Sequence, residues 1–71
     1  MKFYITFGQI HTHSVNGITI DKDCVVEIDV PNYESARERA FELFGDKFSF
    51  IRLTDDIQRS LHFFPRGIIK L

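Results

Sequence analysis

Two of the three histidines in this 71-residue chain, His11 and His13, stand two residues apart, and Gln9 stands two residues before them. Alternate side chains of an extended strand point to one face, so an extended reading puts Gln9, His11 and His13 in one polar row. Imidazoles change charge near neutral pH and serve as acids, bases, hydrogen-bond donors to anions or metal ligands. Thr12 and Ser14 interleave hydroxyls with the row. Burying three such side chains without partners costs about 1–3 kcal/mol each. The row is therefore expected at the surface, with both rings at least partly accessible, and it marks a candidate site.

Three chemistries compete for it. An H-x-H pair on a strand can aim two imidazoles at one zinc ion, but a site needs a third or fourth ligand. His62, Asp21, Asp23 or Glu27 would have to supply it, and no C-x-x-C or H-E-x-x-H spacing demands that. Neither a metal nor a cofactor is called for. The second chemistry is the binding of a small anionic or nucleotide-like ligand. Gly8 allows close backbone approach, while Gln9, His11, Thr12 and His13 offer hydrogen bonds. Arg66 adds a planar fork suited to phosphate, and Tyr4 or a phenylalanine can stack on a base. No Walker-type or dinucleotide glycine motif is present. The third is hydrolysis, with His11 and His13 as acid and base. Small phosphoesterases use an H-x-T/S pair in two copies. Here Thr12-His13-Ser14 has no second copy, because Phe63-Phe64 follow His62. The residues expected to bind ligand are Gln9, His11, Thr12, His13 and Arg66. No catalytic residue is assigned, and a metal- or His-dependent hydrolase is the alternative to a binding module.

The elements that must position this row can be read from periodicity. Lys2 to Phe7 alternates, with Phe3, Ile5 and Phe7 on one face and Tyr4 and Thr6 on the other, as in a half-buried strand. Gly8 interrupts the pattern and predicts either a bulge or a close backbone approach; a bulge would flip the register and turn Ile10 inward. Asn16-Gly17 is a hairpin turn between His13-Ser14-Val15 and Ile18-Thr19-Ile20. Asp21-Lys22-Asp23 is a polar turn before a strong strand over residues 24–30. Asn32 caps a helix with its buried stripe at Tyr33, Ala36, Ala40, Leu43 and Phe44, which Gly45 ends. Glu34, Glu38 and Glu42 take the wet face. A strand follows over 48–53, then an irregular stretch over 54–64 with a short helical turn after Asp55 and Asp56. A closing strand covers 67–71. The expected fold is α+β: a single domain over residues 1–71, with one helix on one face of a small mixed β-sheet, in β-hairpin-β-α-β-β order. If the strands flanking the helix are parallel neighbours, their crossover is right-handed.

Four segments in order carry a resemblance. They are Tyr4-Ile5-Thr6-Phe7-Gly8-Gln9-Ile10-His11-Thr12-His13, then Asn16-Gly17 with Asp21-Lys22-Asp23-Cys24-Val25-Val26. Tyr33-Glu34-Ser35-Ala36-Arg37-Glu38 with Phe44-Gly45-Asp46-Lys47-Phe48 is the third, and Phe64-Pro65-Arg66-Gly67-Ile68-Ile69 the fourth. The set resembles small uncharacterised proteins of bacteriophages and prophages and spans nearly the whole chain. The resemblance brings no catalytic residues. It implies a phage accessory protein in a bacterial cytoplasm, of the kind that counters host defence by binding a host protein or a signalling nucleotide.

Composition limits the partners. A net charge of −1 argues against bulk nucleic-acid binding. No apolar run approaches a membrane span, and no signal peptide is read at the N-terminus. Cys24 is the single cysteine, so no internal disulfide forms, and its place in an apolar strand makes it a small core residue. Eight phenylalanines are more than a one-helix, one-sheet domain of this length hides easily. Together with an uncovered second sheet face, they predict a homo-oligomer.

Overall fold

The computed structural model describes residues 1–8 and 10–70; Gln9 and Leu71 lie outside the described residues. The chain runs β1 (Lys2–Thr6), β2 (His13–Val15), β3 (Ile18–Ile20), β4 (Cys24–Asp29), α1 (Tyr33–Phe44), β5 (Phe50–Leu53) and α2 (Thr54–Ser60). A 3-10 turn over Leu61–Phe63 and β6 (Gly67–Lys70) complete it. This is a small α+β fold. The main sheet has the order β5-β1-β4-β6, and β2-β3 form a separate two-stranded hairpin. β1 is antiparallel to both β4 and β5, whereas β4 and β6 are parallel.

Local signals explain most of these elements. Asn16 (φ 53°) and Gly17 (φ 78°) both take positive φ at the hairpin tip, the backbone that a two-residue turn of this hand needs. At the start of α1 the Asn32 carboxamide oxygen accepts from the Ser35 amide at 2.9 Å. At its end Gly45 has φ 64° and donates to the Phe41 carbonyl. Ala36, Ala40 and Phe44 bury one stripe of the helix. Tyr33, expected in that stripe, opens the helix beside the edge strand β5, touches Phe3 edge-on and is half exposed.

The strands flanking α1 are parallel but not neighbours, since β1 lies between them, so the condition set for a right-handed crossover between neighbours is not met. One expectation is corrected. The second sheet face is not open. Phe3, Ile5, Phe7, Cys24, Val26 and Ile28 pack with α1 and the hairpin's Ile20, while Tyr4 and Val25 pack on the opposite side against Ile57, Leu61 and Phe64. So residues 54–63 form a helix and a 3-10 turn that cover this face, and β1 is buried on both sides. Among the described residues no helix is long and apolar enough to cross a membrane.

The α2 face carries a polar pair inside the fold. The Tyr4 hydroxyl donates to Glu27 Oε1 at 2.9 Å. Burial, and then that hydrogen bond, raise the Tyr4 pKa above its ordinary value. Burial likewise pushes up the Cys24 thiol. Both groups are neutral when protonated, so the unfolded chain gives up these protons at lower pH than the folded one. Stability is therefore fully present below the ordinary values and is lost as pH rises from them through the raised values of the folded state. The urea midpoint should fall as pH rises from about 8.5, the ordinary thiol value. The fall should be shallower in Tyr4→Phe and in Cys24→Ala. An unchanged slope in both variants would contradict this assignment.

Candidate functional site

The polar row does not form as one strand edge. β1 ends at Thr6, and Gly8 turns the chain with φ 63°. This is a turn and not a bulge within a continuing strand, and Ile10 is 85% exposed and not turned inward. His11 is half-buried and Thr12 exposed, both outside any strand, while His13 opens β2. Gln9 lies outside the described residues.

His13 has a structural setting. Its ring packs edge-on against Phe7 at 5.7 Å between centroids and lies 4.9 Å from Phe44. Its Nε2–H donates to the Lys47 carbonyl at 2.7 Å. The ring thus ties the hairpin to the loop after α1, and this nitrogen is occupied as a donor. Arg66 is placed elsewhere: its Nη1 lies 3.5 Å from Asp21 Oδ1, and its amide donates to the Asp23 carbonyl at 2.8 Å. These contacts hold the Pro65-Arg66-Gly67 turn to the turn before β4. Among the described residues no three His, Cys, Asp or Glu side chains come together as a metal site.

A groove lies where β1 ends and β5 begins, on the α2 side of the sheet. It has a volume of about 510 Å³. Its lining comes from four places in the chain: Thr6 and Gly8; Lys22 and Asp23; Ser49, Phe50 and Arg52; and Ser60, Phe63 and Phe64. Each arrives for a local reason. The Thr6 hydroxyl accepts from the Phe50 amide at 3.3 Å, and the Ser49 amide donates to the Thr6 carbonyl at 2.7 Å, which locks β5 onto the end of β1. In the β1–β5 register Tyr4 opposes Arg52 and Thr6 opposes Phe50. Opposed residues share a face, so Arg52 and Phe50 point to the α2 side. The 3-10 turn then presents Phe63 while Phe64 packs beneath it.

Two aromatic rings in this lining are open to solvent, Phe50 at 59% and Phe63 at 69% exposure. The Arg52 guanidinium lies 4.9 Å from the Phe50 ring centroid and makes no ion pair among the described residues. Lys22 is 3.8 Å from Asp23, an exposed pair of small energetic weight. With Lys22, Arg52 and Asp23 the lining sums to one net positive charge. The described lining contains no histidine or cysteine, and its one carboxylate is paired. Such a set can hold an anion and stack a flat ring, but it offers no general base beside a nucleophile. A broader hollow on α1, lined by Glu34, Arg37, Glu38, Phe41 and Glu42, is the solvent face of one helix and has no second wall.

Comparison with family models, curated proteins and solved structures finds no match.

Of the groove's residues, sequence reasoning reached Gly8 and the general idea of a stacking phenylalanine. It missed Lys22, Ser49, Phe50, Arg52 and Phe63. The available signal was the Phe50-Ile51-Arg52 alternation, which puts an aromatic and a cation on one strand face. For the histidines the structure generates an unequal expectation. His13→Ala should cost about 1–3 kcal/mol, through lost ring packing and an orphaned Lys47 carbonyl. His11→Ala should stay within about 0.5 kcal/mol. Urea unfolding of the two variants measures this, and equal effects would remove the structural role given to His13.

Proposed function

We propose that this chain is a phage-type accessory module that binds and sequesters, without turnover, a small anionic ligand carrying an aromatic ring, such as a nucleotide. The carrying observation is the groove, in which Arg52 and Lys22 stand beside the open faces of Phe50 and Phe63. Its volume falls in the range of small-molecule sites. Arg52 supplies a fork for phosphate, Phe50 and Phe63 supply stacking surfaces, and Gly8 beside Ser49 adds an open backbone and a hydroxyl. The phage setting and the countering of a host defence rest on the four-segment resemblance alone. The hydrolase reading has no comparable support, since His13 Nε2 is engaged with Lys47 and His11 is not in the groove lining.

Calorimetric titration at low salt with nucleoside mono-, di- and cyclic phosphates, and with inorganic phosphate, tests the proposal. At least one nucleotide should bind, with Phe63→Ala and Arg52→Ala each weakening it about tenfold or more. His11→Ala should bind as the parent does. The ligand should be recovered chemically intact. Failure of every nucleotide to bind, loss of binding in His11→Ala only, or recovery of a cleaved product would each overturn it.

A further inference from the structure

Beside the groove, β5 is an edge strand of the main sheet. Edge strands leave one side of their backbone without a partner, and proteins commonly protect them with proline, lysine or a covering element. β5 reads Phe-Ile-Arg-Leu and has neither proline nor lysine. The other edge differs: β6 follows Pro65 and ends in Lys70. Apolar surface also collects beside β5 on both faces of the sheet. On the α1 side Leu53 and Tyr33 are about half exposed, and on the α2 side Phe50 is. Since α2 covers the second sheet face, this edge is where the excess aromatic surface of the sequence emerges.

We infer that β5 pairs antiparallel with β5 of a second copy, giving a two-fold dimer with one continuous eight-stranded sheet (four strands from each copy). The strand is self-complementary when the two-fold axis passes at Ile51. Directly opposed residues of an antiparallel pair share a face. Arg52 of each copy then faces Phe50 of the other on the α2 side, the same cation-to-ring pairing that these residues make at 4.9 Å within one copy. On the α1 side Ile51 meets its own symmetry mate, while Ser49, which precedes the strand and borders both this face and the groove, comes across from Leu53. Charge agrees at the flanks, since Lys47 precedes the strand and Asp55 lies in the first turn of α2 that follows it, so antiparallel pairing brings unlike ends together twice. Both are exposed and unpaired among the described residues. A register shifted by two residues toward the C-terminus would set Arg52 against Arg52. A two-fold contact of this kind closes on itself and does not propagate into fibres. The inference does not depend on the groove's ligand, and its test uses none.

Sedimentation velocity of the full chain at about 5 to 200 µM, a range suited to a small interface, reads the mass directly. The expected result is a concentration-dependent species of twice the 8.3 kDa chain mass. Leu53→Lys, on the edge but outside the groove lining, should give a folded monomer. Phe63→Ala, in the groove but off the edge, and Ile68→Lys, on the opposite edge strand, should leave the dimer intact. In a Ser49→Cys/Leu53→Cys double variant, mild oxidation should give a covalent dimer, because those positions face each other across the pair. This second measurement decides the matter if Leu53→Lys fails to fold. A monomer throughout the range, a dimer indifferent to Leu53→Lys or lost in Ile68→Lys or Phe63→Ala, or absence of the cross-link would each overturn the inference. So would growth beyond a dimer.

Discussion

Burial of β1 and β4 on both faces is the constraint on which the rest of this structure depends. Phe3, Ile5, Phe7, Val26 and Ile28 face one side, and Tyr4, Thr6 and Val25 the other, all of them buried. A chain of 71 residues has little material for a core, and it places this material around two strands. Each face needs its own cover, which explains the two helical connections. One passes from β4 through α1 to β5, the other from β5 through α2 to β6. They leave the sheet on opposite sides and deposit β5 and β6 at opposite edges. The edges and the groove are thus the surface that remains once the central pair is covered.

Two-sided burial also dictates how the polar groups near α2 are handled. Tyr4, Glu27 and Lys70 stand side by side in register across three strands, on one face. The Tyr4 hydroxyl and the Lys70 ammonium approach different oxygens of the Glu27 carboxylate, at 2.9 and 3.9 Å. An unpaired carboxylate so close to the core would be costly, and a well-placed phenol offsets much of that cost. Arg52 extends the row to the fourth strand, opposite Tyr4. It finds no carboxylate among the described residues and lies over Phe50 instead. This arginine is the point where a structural ladder ends and a free charge begins.

The α+β class, the hairpin at Asn16-Gly17, the caps of α1 and the burial of Cys24 were legible because each is encoded locally. The cover on the second face was not, since Tyr4 and Thr6 look like the wet side of a strand when taken alone. The signal for α2 was present but short. Ile57, Leu61 and Phe64 recur at the i, i+4, i+7 spacing of a buried helix stripe, within a segment otherwise rich in polar residues. Crossover order was not legible either. Nothing local tells a strand whether its parallel mate is its neighbour or lies one strand further on.

The histidine row shows why residue type alone is a poor guide to a site. An H-x-H spacing defines one face only while the backbone stays extended, and the positive φ at Gly8 ends that condition before the first histidine is reached. His13 then meets Phe7 and Phe44, whose rings favour a flat side chain, and the Lys47 carbonyl, which needs a donor. An imidazole satisfies both, packing as a ring while donating as a polar group. Arg66 serves a similar double purpose, joining its turn to Asp21 by charge and to Asp23 through its backbone. The groove, in contrast, is built of residues that carry no motif. Lys22, Phe50, Arg52 and Phe63 are unremarkable in sequence. Their significance lies in being exposed together around one groove.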